Sequence, residues 1–335
     1  MSHGILQHDR PLFALCPAWH GLGNVLSYAP TLADADLLDQ AGLNWRALES
    51  ESIETTATVR TPTGPITVTS PAPEHKAIIR SDTHEVLGIV GRTYAPIQNT
   101  DLVTFARTIS QSDATQVEAA GSLFNGRRVW FALRAPTVEI DGRDPIAPYI
   151  LLTNRHDGRG SFIAKLTSIR VVCWNTLSLS LRDGQPTYKI RHTRNALSYA
   201  MEAAEVLGLM SEARTVLSEQ AHYLSAQPLG SADLSKFFVR VFEHLHGPIN
   251  PNPTTASEER TLNAATRAVA TMTETATNER KELAYPDFNR WLAVNAASSW
   301  TQKNKMSSDA GTHFESQFFG SRDTRTTELF RMALA

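Results

Sequence analysis

Cysteine is nearly absent from this 335-residue chain, with Cys16 and Cys173 the only two. Two thiols so far apart build no disulfide framework, and they suit a reducing compartment. There is no Cys-x-x-Cys and no His-Glu-x-x-His, so the strong zinc signatures are missing. The one close histidine pair, His244-x-His246, lies in a helical pattern, where residues two apart face different sides. No Walker-type phosphate loop occurs, and Gly88, Gly91 and Gly121 do not form a dinucleotide fingerprint. No apolar run approaches the ~20 residues that span a bilayer. The N-terminus MSHGILQHDRPLFAL has charged residues where a signal peptide needs a continuous apolar stretch. The expectation is a cytoplasmic protein with no membrane partner, no metal and no cofactor.

Charge of either sign is also scarce in sum. The net charge is −2, with 41% hydrophobic and 20% charged residues. That argues against an indiscriminate polyanion binder. The distribution is uneven, however. Residues 151–200 hold eight Lys/Arg against two Asp/Glu, while residues 1–150 total −5 and residues 201–335 total −3. A basic block between two acidic ones reads either as a surface dipole, solvated or paired within the fold, or as an anion-binding strip.

Hydrophobic period divides the chain. Thr31 is read as the cap of a short helix carrying Leu32, Ala35, Leu38 and Ala41, which Gly42 ends. From Trp45 to Ile79, Thr/Val/Ile segments broken by Pro-Thr-Gly-Pro at 62–65 have strand chemistry. Val86–Val90 is a further strand. Asn99-Thr100-Asp101 caps a helix with Leu102, Phe105, Ala106 and Ile109 on one face. Asn125-Gly126 between Val117–Phe124 and Arg127–Leu133 is a hairpin signal. A second hairpin is expected from Tyr149–Asn154 and Ser161–Leu166. Val171–Leu181 is read as a buried helix, because Asn175-Thr176 suits a central strand poorly. Thr187–His192 is one more strand.

From Asn195 onward the period is helical. The stripe from Ala196 to Leu217 is read with a break near Gly208. Ser231 is read as the cap of a helix burying Leu234, Phe237, Phe238, Val241 and Leu245. Further helices are expected in 256–283, 287–300 and Thr326–Leu334. Strands first and helices later predict an α+β fold. Residues 1–195 would form a mixed α+β domain with an antiparallel sheet, and residues 196–335 a helical region.

The candidate site follows from the basic block. Arg155, His156 and Arg159 share one predicted loop. Lys165 and Arg170 bracket a strand, and Lys189, Arg191 and Arg194 lie on or after the next. Arginine binds phosphate oxygens bidentately. Tyr149, Phe162 and Trp174 could stack unpaired bases or pack in the core. Gly158-Arg159-Gly160 could expose amides to a phosphate. Cys173 with His156 or His192 and Asp157 can be drawn as a triad, but Val-Val-Cys-Trp suggests a buried, inert thiol. No residue is assigned a catalytic role.

Several runs are similar to one family. They are PAWHGLG (Pro17–Gly23), VLGIVGRTYAPIQN (Val86–Asn99), TNRHDGRGSF (Thr153–Phe162), SIRVVCWNTL (Ser168–Leu177), KIRHTRN (Lys189–Asn195) and FFGSRDTRTTELFRMAL (Phe318–Leu334). They resemble the phage/plasmid-like proteins of the domain of unknown function numbered nine hundred and thirty-two. The resemblance spans nearly the whole chain, residues 256–310 least. It implies a place on mobile elements and transfers no catalytic residue. The leading expectation is a non-enzymatic protein of phage or plasmid DNA metabolism that binds single-stranded DNA and promotes annealing or recombination, with homo-oligomerisation left open. The alternatives are an enzyme acting on nucleic acid or a nucleotide, and a protein-binding modulator of a host or phage complex.

Overall fold

A computed structural model describes residues 12–13, 24–25, 33–113, 115–170, 175–177, 187–192, 199–303 and 321–335. The strands are β1 (Leu12–Phe13), β2 (Asn24–Val25), β3 (Ala47–Glu49), β4 (Glu54–Thr61), β5 (Gly64–Pro71), β6 (His75–Arg80), β7 (Val86–Gly91), β8 (Gln116–Leu123), β9 (Arg128–Arg134), β10 (Val138–Ile140), β11 (Asp144–Arg155), β12 (Phe162–Arg170), β13 (Asn175–Leu177) and β14 (Thr187–Ile190). The helices are α1 (Asp34–Gln40), α2 (Asn99–Asp113), α3 (Tyr199–Ser225), α4 (Ser231–His246), α5 (Ala256–Glu282), α6 (Arg290–Lys303) and α7 (Ser321–Leu334). Strand-rich then helical, the order is that of an α+β protein.

The large sheet runs β13-β12-β11-β9-β8-β1-β2, with β10 also on β11 and β14 also on β12. Its pairs are antiparallel except β1 with β2. Period-two alternation sends Ile146, Ile150 and Leu152 of β11 to a core shared with the helices, and Ala147, Tyr149 and Leu151 to the opposite face. Both faces are covered, which is why β11 reads as an almost unbroken apolar run. Helix α2 lies on the first face, where Phe105 meets Phe162 edge-on at 5.2 Å. The same core takes in Val206 and Met210 of α3, Phe238 of α4, Met272 of α5, Trp291 of α6 and Phe330 of α7. Buried Asp144 ties sheet to helices, accepting the Trp291 Nε1–H at 2.7 Å.

The Asn-Gly hairpin forms as expected. The loop is four residues, because Leu123 pairs with Arg128. Phe124, Asn125 and Gly126 all have positive φ, at 56°, 59° and 90°. One strand, two helix caps and one helix break differ from expectation, while α5 lies where it was expected. Asn175–Leu177 is a strand and not a helix; it pairs with β12 at the end of the sheet, so it is an edge strand and not a central one. Helix α1 is capped by Ala33 and α4 by Gly230, so Ser231 is the first helical residue. Helix α3 passes Gly208 unbroken. Helix α5 starts at a capping box: Thr255 Oγ1 accepts from Glu258 N–H at 3.2 Å, and Glu258 Oε2 accepts from Thr255 N–H at 3.0 Å. Thr31, Cys16, Cys173, Trp174 and the Pro17–Gly23 run lie outside the described residues.

Two small sheets complete the fold. One is β3-β6-β7 and the other is the β4–β5 hairpin. Nearly every residue of β4 and β5 is exposed. Thr56 with Thr69 and Thr58 with Thr67 pair through their hydroxyls on one face. Ala57, Val59, Ile66 and Val68 form the other. Among the described residues no helix is long and apolar enough to cross a membrane.

Candidate nucleic-acid interface

The basic loop 156–161 joins β11 to β12 and is clamped onto β7. A side chain at Gly88 would bring its Cβ within 2.6 Å of the Asp157 Cα, so only glycine allows this approach. Gly158, at φ 74°, sits against Val90. Inside the loop, Arg155 donates through Nε at 3.0 Å and Nη2 at 2.6 Å to the two oxygens of Asp157. The Arg159 N–H also donates to Asp157, at 3.0 Å. Burial pushes the Asp157 carboxyl up. The Arg155 guanidinium and the Arg159 amide and charge outweigh burial and hold it below the ordinary carboxylate value. Asp157 therefore stays ionised and takes up the charge of Arg155.

His156 points inward and is fully buried. Its Nε2 lies 3.2 Å from Asn99 Oδ1, and its ring meets Trp45 edge-on at 5.2 Å. Asn99 donates to the Leu43 and Trp45 carbonyls, and Asn154 donates to Ile97 O. His192 stacks on Tyr94 at 4.7 Å, and the Tyr94 hydroxyl donates to Arg155 O at 2.8 Å. Burial, with His192 nearby, pushes His156 down to about 3, against the pull of Asp157. Burial likewise takes His192 to about 4, against the Ala95 backbone and Asp157. Both imidazoles are neutral at pH 7. They knit the N-terminus of α2, the 155–160 loop and the exit of β14 together.

The strip predicted from sequence is thus divided. His156 and Lys165 are buried and Arg155 is ion-paired, so none of the three offers a free cation to solvent. Arg159, Lys189 and Arg191 are exposed. Pairing of Arg128 with Arg155, and of Phe162 with Ile190, places the 124–127 loop, the 156–161 loop and the exit of β14 at the same end of the sheet. That end collects Arg159, Lys189 and Arg191, together with exposed Arg127, which sequence reasoning missed. Its signal was present: Arg127 directly follows the Asn-Gly turn. The Arg170 and Arg194 side chains lie outside the described residues. Tyr149 and Phe162 are buried and cannot stack on bases. The Arg159 amide is already taken by Asp157, which removes one donor from any phosphate cradle at Gly158–Gly160. His244 meets Glu328 at 2.9 Å while His246 packs on Phe242, so the pair diverges. No cluster of three metal-binding side chains occurs among the described residues.

The sequence model of a family described as a domain of unknown function (DUF932) matches residues 86–333. The match runs from the first residue of β7 to α7, so it includes the clamped loop and excludes the β4–β5 hairpin. No curated protein and no solved structure matches the chain.

Proposed function

The chain therefore belongs to the DUF932 family, and from that premise we propose that it binds single-stranded DNA at the loop end of the large sheet, in the DNA metabolism of a phage or plasmid. The observation that carries this reading is the convergence of Arg127, Arg159, Lys189 and Arg191, exposed side chains that reach one sheet end from three separate chain segments. Guanidinium and ammonium groups so grouped suit a phosphate backbone, which gives affinity without sequence preference. Strand annealing is the activity that such binding would serve.

The test is anisotropy of a labelled oligothymidylate at two salt concentrations. Affinity falls with salt at a log–log slope of about −0.7 per phosphate contact. Arg159→Ala with Arg191→Ala weakens binding across all sequences and flattens that slope. No binding at low salt, or a slope unaltered by the double variant, defeats the reading. A protein-partner function is favoured by a different observation, the exposed Val59, Ile66 and Val68 of the β4–β5 hairpin. Capture of a protein through that hairpin, insensitive to nuclease, would support it.

A further inference from the structure

Helices α4, α5 and α6 border an open groove of about 560 Å³, lined in part by Phe242, His246, Arg260, Arg267 and Trp300. That volume lies in the range of small-molecule sites, roughly 300–1,000 Å³. The groove has a clear cause in the sequence. Helix α5 turns Ala264 and Ala268 toward the aromatic side chains of α4 and α6, and two methyl groups do not fill the space that larger residues would. One wall is aromatic. Phe242 and His246, one turn apart on α4, lie 4.7 Å apart with their rings tilted by 37°, and Trp300 of α6 stands 6.3 Å from Phe242 and 6.0 Å from His246. Trp300 is half-buried, which leaves part of the indole open to the groove.

The facing rim is cationic. Arg260 and Arg267 are seven residues apart, so they project from nearly one side of α5, about 10 Å apart along its axis. Both are exposed. Among the described residues no carboxylate lines the groove. Glu258, on the same first turn, has its carboxylate held by Thr254, Thr255 and Asn250 instead. Thr261 and Thr271 donate back to Ser257 O and Arg267 O of their own helix, so the strong donors left for a ligand are the guanidinium groups.

We propose that this groove is a nucleotide site: a planar base packs against Trp300 and its phosphate is held by Arg260 and Arg267. The two halves select together. An anion alone gains nothing from the aromatic wall, and an uncharged ring gains nothing from the rim. The site is separate from the sheet end and stands whether or not that end binds DNA. The same chemistry is offered by a free nucleotide and by one residue of a strand.

The test uses the full chain, with tryptophan fluorescence as the readout and thymidine 5′-monophosphate, thymidine and inorganic phosphate as probes. The monophosphate should quench saturably, and thymidine and phosphate should each bind at least about tenfold more weakly. Arg260→Ala and Arg267→Ala should each weaken the monophosphate by about tenfold with an unchanged melting midpoint, and Trp300→Phe should remove most of the quench. Oligothymidylate that competes better per nucleotide than the monophosphate identifies a strand as the source; poorer competition identifies the free nucleotide. The Arg159→Ala, Arg191→Ala protein should retain monophosphate binding, which separates failure here from failure at the sheet end. Absent saturation, phosphate binding as tightly as the monophosphate, or a double Arg260→Ala, Arg267→Ala variant with full affinity would overturn the proposal.

Discussion

The 155–160 loop and the α4–α5–α6 groove both carry two arginines and a histidine, and they use them in opposite ways. In the loop, Arg155 is ion-paired with Asp157, His156 is fully buried, and only Arg159 reaches solvent. In the groove, Arg260 and Arg267 are exposed and His246 lies against two aromatic rings. The difference comes from neighbours. Asp157 stands two residues from both Arg155 and Arg159 and bonds to both, whereas the Glu258 carboxylate is engaged in a helix cap and Glu259, adjacent to Arg260, does not line the groove. A basic side chain is therefore a surface charge only where no acid is held against it and the backbone does not turn it inward.

Acid gives the largest test of this contrast. His156 and His192 have folded pKa values near 3 and 4, against an unfolded value of about 6.5. Folding thus favours the neutral rings. Their contribution is fully present above about pH 6.5 and is lost as pH falls toward the folded values. From pH 7 to pH 5 each histidine should cost about 2 kcal/mol of stability, about 4 kcal/mol together. Urea melts followed by circular dichroism at a series of pH values read this directly, and His156→Gln should remove about half of the slope. A flat profile between pH 7 and 5 would show that the loop histidines are solvated like those of a surface.

The glycine clamp comes next. Gly88→Ala sets a methyl group against the Asp157 backbone and should cost about 2–3 kcal/mol. Gly91, three residues along the same strand, has open space at its Cβ. Gly91→Ala should change stability by no more than about 0.5 kcal/mol. Equal melting shifts for the two would show that the Gly88–Asp157 approach does not constrain the loop. A somewhat smaller effect is expected for Asp157→Asn, which weakens two charged hydrogen bonds to Arg155 and should cost about 2 kcal/mol. The smallest effect belongs to the groove. Arg260→Ala should leave stability within about 0.5 kcal/mol, because an open cation supports nothing in the fold. A destabilisation like that of Asp157→Asn would place Arg260 with the loop arginines as a structural residue.

Much of the framework was legible before any coordinates. Asn125-Gly126 announced its hairpin because few residues other than Asn and Gly accept positive φ in a turn. Leu102, Phe105, Ala106 and Ile109 announced the buried face of α2, and all four are buried. The strand at Asn175–Leu177 was missed because polar residues argue against a central strand, and position within a sheet is not a local property. The basic strip was legible as composition and illegible as a site. Nothing near Lys165 says that its face of β12 is covered, and Arg127 joins Arg159 only through the pairing of β9 with β11. The groove was hidden for a similar reason. The spacing of Arg260 and Arg267 places them on one face of α5, but Phe242 and Trp300 come from two other helices.

The sequence by itself determined the family, the order of a strand-rich part before a helical one, the Asn125-Gly126 turn and the buried face of α2. These depend on period, capping and backbone sterics, which act over a few residues. Tertiary structure alone decided which cations meet solvent. Burial of His156 and convergence on the sheet end or the groove are set by distances between segments tens of residues apart. Electrostatic and desolvation energies change steeply over those few ångströms.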